Sequence, residues 1–124
     1  TQWDASRWGS TGPQAFKDNV VKLFDKLQGY KIPHIVWVVA PPVSQHLKKG
    51  FLLPALEFLA TFLPFYVLEA NSYVAKLCRA RGVACLDFHY HLRFLCGSRD
   101  FDGTHWNTAV VRYATNVLLT FLSF

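Results

Sequence analysis

From residue 13 onward the apolar positions recur with the period of an α-helix. Phe16, Val20, Leu23, Phe24 and Leu27 fall at i, i+4, i+7, i+8 and i+11, one face of an amphipathic helix over residues 13–28. Pro13 suits the first turn, where a missing N–H is not felt, and Gly29 supplies a residue free to take positive φ at the end. The pattern then changes. Residues 34–40, His-Ile-Val-Trp-Val-Val-Ala, are a nearly unbroken apolar, β-branched run closed by Pro41 and Pro42. Such a run predicts a strand covered on both faces, as in a parallel sheet. Residues 83–89, Val-Ala-Cys-Leu-Asp-Phe-His, predict a second strand of the same kind.

Between these runs the chain needs a crossover, and residues 51–81 predict it as a helix. The basic Lys76, Arg79 and Arg81 before Gly82 mark its end. Its first part, 51–68, is apolar almost throughout and nearly long enough to span a bilayer, but Glu57, Pro54 and Pro64 oppose that reading. Membrane contact is therefore not expected. A last helix is predicted over 107–122, with Val110, Val111, Ala114, Val117, Leu118, Phe121 and Leu122 as its buried stripe. The order is α/β, but short of strands. Two parallel strands leave unpaired edges, so further strands are expected from outside this segment, or a protein partner or second copy at the open edge.

Composition narrows the class. At 124 residues, 52% apolar, 17% charged and 16% aromatic, the chain has material for one folded domain and none of the marks of disorder. Trp37, Phe58, Phe62, Phe65 and Tyr73 read as core. The net charge of +5 raises a nucleic-acid partner, yet the thirteen Lys and Arg are dispersed and no nucleic-acid-binding motif is present. The charge reads as a solvated surface, with no nucleic acid implied. Cys78, Cys85 and Cys96 contain no C-x-x-C spacing and cannot pair completely, which fits a reducing, intracellular setting.

The densest polar cluster runs from Asp87 to His105, just where sites form beyond the carboxyl ends of strands in open α/β sheets. Asp102 precedes His105 by three residues on a turn leading into the last helix. A carboxylate so placed can accept the imidazole Nδ1–H, fixing the tautomer and leaving Nε2 to take a proton from a nucleophile. Gly103 lets the backbone turn tightly between them. The same spacing also arises where an Asp caps a helix beside a surface His. Asp87, His89 and His91, at i, i+2 and i+4, would share one strand face. With His105 or Asp102 they make an alternative divalent-metal site; otherwise they form a hydrogen-bonded network under the pocket.

Six blocks occur in order: Trp3-Asp-Ala-Ser-Arg-Trp-Gly9, Ile35-Val-Trp-Val-Val-Ala-Pro41, Gly50-Phe-Leu-Leu-Pro54, Glu69-Ala-Asn71, Leu86-Asp-Phe-His-Tyr-His-Leu-Arg93 and Asp102-Gly-Thr-His-Trp-Asn107. Together they resemble the PC-esterase domain-containing proteins, a branch of the SGNH/GDSL hydrolases, over nearly the whole chain. The resemblance implies a flavodoxin-like three-layer sandwich whose nucleophile stands in a Gly-Asp-Ser block after the first strand. Asp102 and His105 match the family's triad Asp and His. Asp4, Ser6 and Arg7 match a block near the expected pocket, to which Asp87, His89, His91 and Arg93 are added as candidate lining. The implied substrate is an acyl ester, with acylated glycans or glycoproteins the class in view. No cofactor is implied.

This sequence departs from the pattern in two respects: it contains no Gly-Asp-Ser, and it carries less charge over Leu56 to Val67 than family members tend to. Ser6 is the one serine in a recognisable block, and the family does not use that position as nucleophile. The expectation is therefore the C-terminal part, residues 1–124, of a single SGNH-type domain, inactive by itself without the nucleophile segment. The alternatives are a non-catalytic remnant that binds a protein partner, and the metal-binding module.

Overall fold

The computed structural model describes residues 9–43, 54–95 and 105–124. A short 3-10 turn, Gly9–Thr11, leads into helix α1, Gly12–Gly29. Strand β1, Val36–Val38, follows; a 3-10 segment, Pro54–Thr61, then precedes helix α2, Leu63–Arg81. Strand β2, Ala84–Leu86, gives way to a short helix α3, Phe88–Leu92, and a 3-10 turn, Arg93–Leu95. Helix α4, Thr108–Leu122, ends the chain. The two strands pair in parallel, with Val36 opposite Ala84, Trp37 opposite Cys85 and Val38 opposite Leu86. The protein is thus mixed α/β, mostly helical, with a two-stranded parallel sheet joined by a helical crossover.

The core lies between α1, α2 and one face of this sheet. Phe16, Val20 and Phe24 of α1 interlock with Ala70, Val74 and Cys78 of α2, and Trp37 and Cys85 close the layer from the strands. Phe24 meets Trp37 with ring centroids 5.3 Å apart and planes tilted by 59°, an edge-inclined contact that suits the ring quadrupoles. Two ion pairs tie the helices together at the surface: Lys17 with Glu69 at 2.6 Å and Arg81 with Asp25 at 2.7 Å. Being partly exposed, each contributes at most about 1 kcal/mol.

Several sequence expectations change here. The strands are shorter than 34–40 and 83–89, because pairing covers three residues on each. They are not covered on both faces: Val38 and Ala84 are exposed opposite the helical layer. The helix expected over 51–81 is broken. Phe62 caps α2, and Pro64 occupies its first turn, where the ring is tolerated and the N–H is not missed. Residues 51–53 lie outside the described residues. Gly29 remains helical, and the positive φ falls on Lys31, at 53°. Gly82 does adopt the left-handed conformation at the end of α2, φ 68°, and Val83 N–H donates to Cys78 O at 2.9 Å.

Burial is also less complete than the periodicity suggests. Of the stripe on α4, Val110 alone is buried, while Val111 and Leu122 are exposed. Phe58, Phe62 and Phe65 are exposed rather than core, and Tyr73 and Trp37 are the aromatics that pack against it. Among the described residues no helix is long and apolar enough to cross a membrane.

Candidate functional site

Both strands run toward the same end of the molecule, and the residues that follow them build two adjoining concavities. The backbone beyond β1 is held open there by side-chain bonds. Asn71 on α2 accepts from Ala40 N–H at 3.1 Å and donates to Ala40 O at 2.7 Å. Val39 N–H donates to Leu86 O at 3.1 Å, one step past the last strand pair. Asn71 is thus a structural polar group that ties α2 to the end of β1.

Beyond β2 the chain turns at once into α3. Asp87 stands at its cap, and its Oδ1 accepts from Tyr90 N–H at 2.9 Å. A carboxylate capping a helix in this way satisfies one of the amides that have no partner within the helix. This corrects the expectation for Asp87, His89 and His91. On a strand they would share a face; on a helix His89 and His91 diverge by about 200°. The structure keeps Asp87, His89 and Arg93 together on one cleft and turns His91 away, its ring edge-on to Tyr90 at 5.6 Å. Among the described residues no group of three or more His, Cys, Asp or Glu is arranged to hold a metal ion. Asp87, His89 and His91 therefore do not form the single-faced set that their alternation suggested.

The cleft is about 330 Å³ and mixed in lining: Val39, Leu68 and Ala75 give it apolar walls, and Asn71 and Ser72 of α2, Cys85 of β2, and Asp87, His89, Tyr90 and Arg93 around α3 add polar groups. Arg93 is fixed by stacking. Its guanidinium lies 3.6 Å from the Tyr90 ring centroid and 4.4 Å from that of Phe94, and it donates to Tyr90 O. A cation held against aromatic faces loses little further freedom when an anion or hydroxyl meets it. Burial pushes the Cys85 thiol above its usual pKa of 9.0, against the lowering effect of its hydrogen bond with Cys78, and the Asp87 charge adds a smaller push upward. The thiol in this cleft therefore stays protonated at neutral pH and is a poor nucleophile. Ser72 was not singled out from the sequence. Its one signal was its place directly after Asn71, on the helix face that meets the strand ends.

The second concavity is an apolar groove of about 290 Å³ on the other side of α3. Pro41, just past β1, and Phe88, just past β2, meet Leu92 of α3 and Trp106, Ala114 and Leu118 of the last segment. Helix α3 therefore divides the two spaces by its own periodicity. Phe88 and Leu92, four apart, face the groove; His89 and Arg93, also four apart, face the cleft.

His105 immediately precedes Trp106 at the approach to α4 and is exposed. Helix α4 begins at the Asn107 cap, whose Oδ1 accepts from Val110 N–H at 3.1 Å. Asp102, the sequence-derived partner of His105, and the pocket candidates Asp4, Ser6 and Arg7 lie outside the described residues.

Comparison with known proteins identifies the kin of this chain. It is homologous to the PC-esterase domain-containing proteins 1A and 1B. It is 34% identical to human protein 1A over 121 residues, 95% of this chain and 26% of that protein. Against human protein 1B the identity is 36% over 94% of this chain and 28% of that protein; against mouse protein 1A it is 33% over 94% and 26%. The chain thus spans about a quarter of the length of the curated relatives it matches. No family model matches the chain, and no solved structure matches it.

Proposed function

We propose that this chain, a homologue of PC-esterase domain-containing proteins, carries the acid–base half of an SGNH-type ester hydrolase. His105 takes the proton of a serine as that serine attacks the acyl carbonyl, then returns it to the leaving alcohol. Asp102 holds the Nδ1–H and stabilises the imidazolium. The serine belongs to a Gly-Asp-Ser segment that these 124 residues do not contain, and the chain needs that segment to turn over substrate. The observation that carries the reading is that His105 adjoins Trp106, which shares one groove with Pro41 and Phe88, the residues just past the two strand ends. That is the position of reacting groups in open α/β sheets.

The cleft beside α3 supports an alcohol part that carries hydroxyls, such as an acylated glycan or glycoprotein, because Ser72 and the Asp87 carboxylate stand beside Arg93 and the Tyr90 face. Asp4, Ser6, Arg7 and His89 complete the set of residues proposed around the pocket, while His91 is turned away from it. Asp102→Asn tests the reading in protein containing the Gly-Asp-Ser segment. Turnover of a small aryl ester should fall by about 10²-fold or more, with the substrate KM little changed. Undiminished turnover would remove Asp102 from the mechanism.

A further inference from the structure

The two cysteines among the described residues lie together, and neither takes part in the proposed ester chemistry. We infer that Cys78 and Cys85 are an oxidative modification site: a small-molecule disulfide reaches Cys85 through the cleft, bonds there first, and leaves an internal Cys78–Cys85 disulfide behind. A backbone device brings the pair together. Helix α2 ends at Gly82 in the left-handed conformation, and the N–H groups of Gly82 and Val83 both donate to Cys78 O. That turn lays β2 back against the last turn of α2. Side chains alternate along a strand, so Val83 and Cys85 pack toward the core while Ala84 is exposed. Cys85 thereby meets Cys78, whose S–H donates to the Cys85 sulfur. Sulfurs in such contact need a short further approach to reach the ~2 Å of an S–S bond.

The two thiols differ in access. Cys78 is buried, whereas Cys85 is half-buried and lines the cleft beside Ser72 and Ala75. Asn71, Ala75 and Cys78 fall at i, i+4 and i+7 on α2, so the helix face that walls the cleft continues inward to the buried thiol. The Cys85 thiolate attacks one sulfur of the reagent, forming a mixed disulfide and releasing one thiolate. The Cys78 thiolate then attacks the Cys85 sulfur and expels the second. The protons of both cysteines end on the two released thiols, and two electrons pass from the cysteine sulfurs to the reagent. Burial raises both thiol pKa values, so the exchange is slow at neutral pH, but burial equally opposes any anionic product. A disulfide is neutral and suits the apolar cluster around Cys78; a metal bis-thiolate would bring two charges there. The cross-link ties the strand that leads to Asp87 to the helix that carries Ser72.

The test incubates the full chain with glutathione disulfide to constant composition, blocks the remaining thiols with N-ethylmaleimide in denaturant, and maps tryptic peptides by mass spectrometry. Peptide 77–79 should be found linked to peptide 82–93, and neither linked to the peptide that carries Cys96. The same reaction in urea is the reference, because an unfolded chain pairs its cysteines without regard to the fold. Cys78→Ser should stop at the mixed disulfide on Cys85, and Cys85→Ser should leave Cys78 without glutathione. The linkage map of the parent decides the matter even if either variant fails to fold. A native mixture of linkages equal to that in urea would overturn the inference. So would Cys78 and Cys85 both still carrying the maleimide, or Cys78 taking glutathione in a Cys85→Ser protein that melts cooperatively.

Discussion

The Asn71 side chain clasps the backbone of Ala40 with both of its functional atoms, accepting at 3.1 Å and donating at 2.7 Å. An amide side chain here imitates the edge of a neighbouring strand. It ends β1 in a fixed direction and ties it to the helix that carries Ser72.

Removing that clasp should be costly. Asn71→Ala leaves the Ala40 N–H and C=O half-buried without these partners, and the expected loss is about 1–3 kcal/mol. Urea denaturation gives the number, and hydrogen exchange should show the Ala40 amide losing protection before the α1–α2 core does. A midpoint equal to that of the parent would mean the two bonds are replaced by water at no cost.

Gly82 makes a simpler prediction. Its φ of 68° lies in the left-handed region, and nothing stands within 4 Å of where a Cβ would be placed. A substitution there is opposed by backbone conformation alone. Gly82→Ala should cost about 1–2 kcal/mol, and Gly82→Asn less, because Asn tolerates this conformation better. Thermal melts of the two variants would rank them; an equal loss would point to crowding instead.

Cys78 links stability to alkaline pH. Burial raises its pKa from 9.0 to about 11, with the charge of Cys85 adding to the effect. The folded state then holds a proton that the unfolded state releases between these values. Stability is fully present below about pH 9 and falls as pH rises toward about 11, by on the order of 2 kcal/mol. Lys and Tyr titrate in the same range, so the comparison is with Cys78→Ala. That variant should show a shallower loss between pH 9 and 11. Parallel curves would dismiss the thiol as a contributor.

The sequence carried α1, α4 and the parallel pair plainly, since periodicity and the prolines that close the runs are local signals. What it hid depended on tertiary context. An apolar run at 83–89 cannot show where pairing stops; Asp87, poised to cap Tyr90 N–H, ends the strand and starts a helix. The cap was visible as an Asp three residues before the amide it serves, yet alternation of Asp87, His89 and His91 spoke as loudly for a strand. Pro64 likewise marked the start of α2 within a run that read as one long helix. The division of α3 into an apolar side and a polar side became legible only once those residues were helical. His105 could be proposed from its spacing to Asp102, but the groove beside it could not. Pro41, Phe88 and Leu118 come from three distant stretches of chain.

The central claim is that His105 is a general base for ester hydrolysis. The most direct measurement is kcat/KM for phenyl acetate, with His105→Ala against the parent, in protein containing the Gly-Asp-Ser segment. A positioned base contributes about 10²–10⁴-fold, so the variant should lose at least two orders of magnitude while keeping its thermal midpoint. A variant that hydrolyses the ester as fast as the parent would contradict the account.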